Sequence, residues 1–266
     1  MKPYTGLIDS HFHSQSMLFK AMDVADCLTR FFAEGGELAL DMAVHVRDGA
    51  AREALSELFP GIFTAAGFHP SEAGNVSEED WLLLREQLTH PKALVVGEIG
   101  LDWYRGREDE HAQRELFRRQ LALAQEVEKP VSIHNREADK ELLEDLAAEG
   151  WKRPGILHCF SSDLTLARKG LDLGFYLSFA GNITYPSSSA LREVARWAPA
   201  ERILVETDAP YLSPQEKRGQ PNQPLNAGVT ATAVAELRGV GLPEFLEQSR
   251  RNFHTLVGWA STDREQ

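Results

Sequence analysis

IDSHFH, residues 8–13, reads as the tip of a buried strand that carries an aspartate and two histidines. Side chains alternate in an extended chain, so Asp9, His11 and His13 are expected on one face, with Ser10 and Phe12 on the other. A lone histidine in such a place is an ordinary hydrogen-bonded core residue. A His-x-His pair beside a carboxylate begins to look like a ligand set.

Around this stretch the chain repeats itself in character. After GLIDSHFH from Gly6 come ELALDMAVHV from Glu37, IFTAAGFHP from Ile62, LVVGEIGLD from Leu94, VSIHNR from Val131, GILHCFS from Gly155, FYLSFAGNI from Phe175 and RILVETDAPY from Arg202, eight apolar runs of strand length. Most gaps between them carry apolar residues at three- and four-residue spacing, which predicts helices over 17–35, 78–90, 108–129, 138–150, 163–174 and 188–199. Short apolar strands alternating with amphipathic helices make an α/β fold with a parallel sheet, and eight such units match a (β/α)8 TIM barrel. A doubly wound open sheet would bring a glycine-rich phosphate turn after the first strand, and IDSHFH is the opposite of glycine-rich.

The chain has 266 residues, 42% hydrophobic and 26% charged, with no Gly/Ser- or Pro-rich linker, so one domain over 1–266 is expected. No apolar run approaches the roughly 20 residues that span a bilayer, and MKPYTGLIDS lacks a secretory pattern, so a cytoplasmic location is expected. Cys27 and Cys159 have no zinc-like spacing and make no disulfide framework. Net charge is −12, from 40 acidic and 28 basic residues, which argues against a protein that holds duplex DNA mainly by neutralising phosphates. A phosphodiester substrate would need a local attraction, and a metal site is its obvious source.

Barrel chemistry sits at the carboxyl ends of the strands. There the sequence places His11 and His13 on the first strand, His69 on the third, Glu98 and Asp102 on the fourth, His134 and Arg136 on the fifth, His158 on the sixth, and Glu206 and Asp208 on the eighth. So many imidazoles and carboxylates at one mouth are costly to bury without a cation to share. Two divalent ions resolve the cost, and mixed imidazole and carboxylate donors suit Zn, Mn, Fe or Co. Alternation pairs Glu98 with Asp102, His134 with Arg136 and Glu206 with Asp208 on shared faces, so one group of each pair can take metal and the next substrate. No GxSxG elbow occurs, and alternation points Cys159 away from His158 into the core.

DSHFH, GFHP, GEIGLDWY, PVSIHNREA, ILHCFS and ILVETDAPYLSP, running from Asp9 to Pro214, together resemble the TatD family of metal-dependent hydrolases, and RGQPNQP then RRNFHTLVG extend the match more weakly. The resemblance implies a metallo-dependent hydrolase barrel with one or two divalent metal ions, Zn, Mn or Mg. Characterised members act mainly as DNases, several as 3′-to-5′ exonucleases. Some are linked to DNA repair and others to removal of D-amino acids from tRNA. Carried over by motif, it implies that His11, His13 and Asp208 hold one metal, that His134 and His158 hold the other, and that Glu98 bridges them. Related amidohydrolases bridge with a carboxylated lysine, for which strand four here offers Glu98.

The activity expected is metal-dependent cleavage of phosphodiester bonds in single-stranded DNA from the 3′ end, with no obligate protein partner. Asp208 is expected to orient the water and take its proton, with Glu98 the other catalytic carboxylate. His69, Asp102, Arg136, Glu206 and Asn222 are expected on substrate, and Tyr104, Phe160, Tyr185 and Tyr211 near loops could stack on a terminal base. The same hydroxide could instead attack a carboxylic ester, as in a D-aminoacyl-tRNA deacylase or a lactonase. Against the family pattern, HCFSSD replaces HCFSG, ITYPS puts Pro186 where a lysine often stands, and Gln220 and Pro221 replace basic residues in RGQPNQP. Fewer cations should weaken binding of long DNA more than they harm the metal chemistry.

Overall fold

The computed structural model of the chain describes residues 2–104 and 106–258. Eight strands pair in chain order, each parallel to the next: β1 (Leu7–Phe12), β2 (Gly36–Asp41), β3 (Ile62–Ala66), β4 (Ala93–Asp102), β5 (Val131–Arg136), β6 (Gly155–Leu157), β7 (Phe175–Phe179) and β8 (Ile203–Val205). The sheet closes just beyond β8. There Phe12 bridges Ala209, the Asp208 amide donates to His11 O at 2.9 Å, and the His13 amide donates to Ala209 O at 2.8 Å. The fold is a (β/α)8 barrel.

Its helices are α1 (Ser14–Phe19), α2 (Val24–Ala33), α3 (Gly49–Leu58), α4 (Glu78–Gln87), α5 (Glu110–Glu126), α6 (Asp139–Ala148), α7 (Leu164–Asp172), α8 (Ser189–Trp197), α9 (Ala227–Arg238) and α10 (Leu242–Leu256). The helix expected over 17–35 is two. Ala21 adopts a left-handed φ of 56°, and the Asp23 carboxylate accepts the Asp26 amide at 2.9 Å to start α2 afresh. Periodicity did not single out α3, α9 or α10. Among the described residues no helix is long and apolar enough to cross a membrane.

Two apolar layers follow from strand alternation. Ile8, Leu40, Met42, Val95, Ile156, Tyr176 and Leu204 fill the barrel, joined by Phe253 and Leu256 of α10. Leu7, Phe12, Val96, Phe117, Phe175 and Phe179 belong to the larger layer between sheet and helices.

Near the site, alternation fails in useful ways. The β1–β2 register slips between Asp9 and Phe12. Asp9 turns toward the β8 side, accepting from the Thr207 amide at 2.9 Å and its hydroxyl at 2.6 Å, rather than sharing a face with the histidines. Ser10 bonds the Ser178 hydroxyl at 2.8 Å and Val205 O at 3.1 Å. β6 and β8 stop after three residues, so His158 and Asp208 sit on chain that has left the ladder.

Arg52 of α3, 1% exposed, ties the outer layer together. It donates to the Asp48 carboxylate at 2.7 Å, to the backbone carbonyl of Ala65 on β3, and to Gln87 of α4. Removing a buried guanidinium strands its acceptors and leaves a cavity, so Arg52→Ala is expected to cost about 3 kcal/mol of unfolding free energy in urea denaturation. A loss under about 1 kcal/mol would show that these contacts do not hold α3 to the sheet.

Candidate metal centre

Glu98, midway along β4 and 3% exposed, aims its carboxylate into the barrel mouth. Oε2 lies 3.5 Å from Nε2 of both His11 and His13. Oε1 faces a different pair, Nδ1 of His134 at 2.7 Å and Nε2 of His158 at 2.8 Å. Asp208 Oδ1 completes the first group, 3.4 Å from His13 Nε2 and 3.8 Å from His11 Nε2. The six residues expected as ligands come from five separate strand ends and meet around one carboxylate.

The outer nitrogens of these rings say what the inner ones are for. His134 Nε2 donates to Asp102 Oδ2 at 3.1 Å, His158 Nδ1 to Glu206 Oε1 at 3.2 Å, and His13 Nδ1 to Met42 O at 3.4 Å. With those protons committed, the inner nitrogens present lone pairs to one another and to Glu98. His11 and His13 bring their Nε2 atoms within 3.1 Å, and the buried Nδ1 of His11 has no partner. One proton between two imidazoles satisfies only that edge. A divalent cation satisfies all the inward donors at once, and outer carboxylates on metal-bound imidazoles are the usual way such rings are oriented. The residues present therefore fit a metal centre. His11, His13, Glu98 and Asp208 could hold one ion, and His134, His158 and Glu98 a second.

The electrostatics agree. Burial pushes the Glu98 carboxyl up, yet His158, His11 and His134 around it hold it well below the usual carboxylate range. Asp208 behaves alike: burial opposes ionisation, and His13 and His11 outweigh it. Both remain anionic donors. Burial also works against protonated His158 and His13, but Glu98 with Glu206 raises the former and Asp208 with Glu98 the latter. Burial, then His158, lowers His11. Without an ion the cluster thus holds protons, which binding of a divalent cation would displace.

Of the residues expected on substrate, His69, Asp102 and Arg136 line the cleft over this centre, about 1300 Å³ in volume. His69 Nδ1 accepts the Ser71 amide at 3.1 Å, so its hydrogen sits on Nε2, 3.9 Å from Glu98 Oε1. Burial, partly offset by Glu98, takes it down to about 4, so it is a neutral donor. Asp102 is occupied by His134 and by the Tyr104 amide at 2.9 Å. Arg136 lies 3.5 Å above the Tyr104 ring, and its charge is among those that lower the Asp102 carboxyl. Glu206 and Asn222 are fully buried and face protein, not the cleft. Glu206 Oε1 accepts the Cys159 amide at 2.8 Å besides His158, while Asn222 donates to Thr207 O at 2.8 Å and accepts from Asn226 at 2.8 Å.

Two other residues differ from their strand parity. A left-handed φ of 43° turns Cys159 into the cleft wall, where a core position was expected. Phe160, 3% exposed, packs edge-on to Phe179 instead of facing the loops. Asp41 was not foreseen at all. It accepts both the amide and the hydroxyl of Ser14, fixing the start of α1 directly behind His13, and burial raises it to about 6. The acid closing the ELALD run was its only sequence signal.

The comparisons with known proteins bear on this geometry. The family model described as TatD related DNase matches residues 8–258. The uncharacterised metal-dependent hydrolase YabD of Bacillus subtilis is 33% identical over 94% of this chain and 98% of its own length. The uncharacterised metal-dependent hydrolase TatD of Mycobacterium tuberculosis is 35% identical over 87% of this chain and 90% of its own. The crystal structure of the Escherichia coli TatD homologue YjjV superposes with a TM-score of 0.89 at 30% identity, covering 97% of this chain and all of that one. A mutant of an organophosphorus hydrolase from Deinococcus radiodurans shares the barrel, with a TM-score of 0.64 at 15% identity. A carboxylate between two imidazole pairs, at the mouth of a barrel matched from first strand to last helix, fits this kinship: the chain belongs to the TatD related DNase family and is a metal-dependent hydrolase.

Proposed function

We propose that the chain is a deoxyribonuclease that removes nucleotides from the 3′ end of single-stranded DNA, using His11, His13, Glu98, His134, His158 and Asp208 as metal ligands. Two observations support the proposal: the division of Glu98, with Oε2 toward one imidazole pair and Oε1 toward the other, which would suit a carboxylate shared by two ions, and the match to the TatD related DNase family, which favours a nucleic-acid phosphodiester as substrate. Divalent ions bound there would bring the pKa of a coordinated water toward neutrality and withdraw charge from phosphoryl oxygens.

The protein's own groups then have separate tasks. Asp208 has a left-handed φ of 55°, which turns its carboxylate back over the mouth beside His13, where it accepts the proton of the attacking water. The neutral His69 gives a phosphate oxygen its Nε2 hydrogen, and Arg136, held flat on Tyr104, adds a charged donor from the β5 side. Glu206 and Asp102 keep His158 and His134 in the tautomer that leaves the inner nitrogen free. With two divalent ions, the ligand set of four neutral histidines, Glu98 and Asp208 would carry about two positive charges on the substrate side, with Asp102 and Glu206 balancing them from behind the rings.

Chelation is expected to abolish shortening of 3′-labelled single-stranded DNA, and Mg, Mn or Zn supplied separately should restore it in the wild type but not in Glu98→Ala. Cleavage that survives complete metal removal sinks the mechanism. Lactones and D-aminoacyl-tRNA assayed beside the DNA should stay intact, whereas turnover of either with no DNA cleavage refutes the nuclease assignment. Asp102→Asn and Glu206→Gln should each weaken metal binding about 10- to 100-fold in calorimetric titration, and unchanged affinity would remove His134 and His158 from the ligand set.

A further inference from the structure

The charges lining the cleft are unevenly placed. On the β4 flank it carries Asp102, Glu108 and Asp109. On the opposite flank, formed by the loops after β7, β8 and β1, the lining cations are Lys20 and Arg218, and the lining carboxylate is Asp208 of the metal centre. Neither cation has a carboxylate within ion-pair distance among the described residues. Each lies instead over a tyrosine: Lys20 Nζ is 4.3 Å from the Tyr211 ring centre, and Arg218 Cζ is 4.7 Å from that of Tyr185.

A cation resting on an aromatic face keeps most of its charge for an anion, while the ring limits its wandering. The rings are themselves positioned. Tyr211, 46% exposed, stands edge-on to His13 with centres 6.3 Å apart, and the Tyr185 hydroxyl donates to Ser213 O at 2.9 Å. Each pair thus offers a charge for a phosphate and an aromatic surface for a base, and one pair adjoins a proposed metal ligand. These are the two elements by which a single strand is held without reading its sequence.

Resting on the nuclease reading above, we propose that Lys20 with Tyr211 and Arg218 with Tyr185 form a two-nucleotide track that holds the retained part of the DNA strand on the β7–β8–β1 flank. The acidic β4 flank is left to the single nucleotide that departs.

The test is binding of the metal-loaded full-length protein to fluorescent phosphorothioate oligothymidylates, a dinucleotide and a hexanucleotide, followed by anisotropy across a salt series. For the hexanucleotide, Lys20→Ala and Arg218→Ala should each reduce the slope of log Kd against log salt by about 0.7, the value of one single-strand phosphate contact. Lys20→Arg should keep the wild-type slope. Tyr211→Leu should weaken binding about 5- to 100-fold with the slope unchanged, because stacking does not depend on counterion release. The gain in affinity from dinucleotide to hexanucleotide should shrink in all three weakened variants. If the wild type binds and cuts DNA but Lys20→Ala and Arg218→Ala keep its slope and affinity, the track is refuted while the nuclease reading stands. If the wild type neither binds the phosphorothioate oligonucleotides nor shortens ordinary 3′-labelled single-stranded DNA, the nuclease reading falls and the track falls with it.

Discussion

A carboxylate buried at the mouth of a barrel must be neutralised by something, and the rest of this site is arranged around that constraint. Glu98 is all but removed from water, and an uncompensated charge there would cost several kcal/mol. Four imidazoles surround it, but imidazole is neutral near physiological pH, and three more carboxylates, Asp102, Glu206 and Asp208, stand directly behind or beside them. The chain thus supplies a cluster whose fixed charge is negative. Protons can balance it in part. Divalent cations balance it fully, because every inner lone pair then points at charge instead of at another lone pair.

The barrel makes that arrangement possible through unequal strands. β4 runs for ten residues and carries Glu98 in its interior, so the carboxylate between the two imidazole pairs is held on both sides by sheet. β6 and β8 end after three, which frees the chain at His158 and Asp208 to take directions a regular strand forbids. The slip in β1 does the same for His11 and His13, because it sends Asp9 toward β8 and leaves the histidines facing the mouth. Rigidity comes from below and outside: Phe253 in the barrel, Asp41 behind α1, and Arg52 between α3 and β3.

These irregularities mark the limit of what alternation reveals. The barrel was legible because eight apolar runs are spaced by helical segments; the polar groups toward the ends of those runs marked the mouth, and the family motifs singled out six of them as ligands. Position along a strand, however, does not say which way a residue points once the ladder stops. Cys159 was placed in the core on strict parity, and a left-handed turn brings it to the cleft. Glu206 and Asn222 were placed on substrate because they sit beside residues that do face the mouth, yet both are enclosed by protein. Helix α9 escaped notice for a different reason: AGVTATAVAELR is rich in Ala, whose small side chains blur the contrast between buried and exposed faces.

On the nuclease proposal, an acidic protein has to bind a polyanion. At physiological ionic strength charges more than about 8 Å apart are largely screened, so the formal net charge of −12 matters less to a bound strand than the groups lining its path. Those groups are few and close to the metal centre. Among the described residues the cleft offers no broad basic surface of the kind a duplex needs along its backbone, whereas the strand end proposed as substrate would need only the centre and its immediate flank. On the proposed nuclease reading, a sparse set of cations next to the reacting phosphate would favour ends over lengths, because only a strand end can place its phosphates against the few groups that line the cleft.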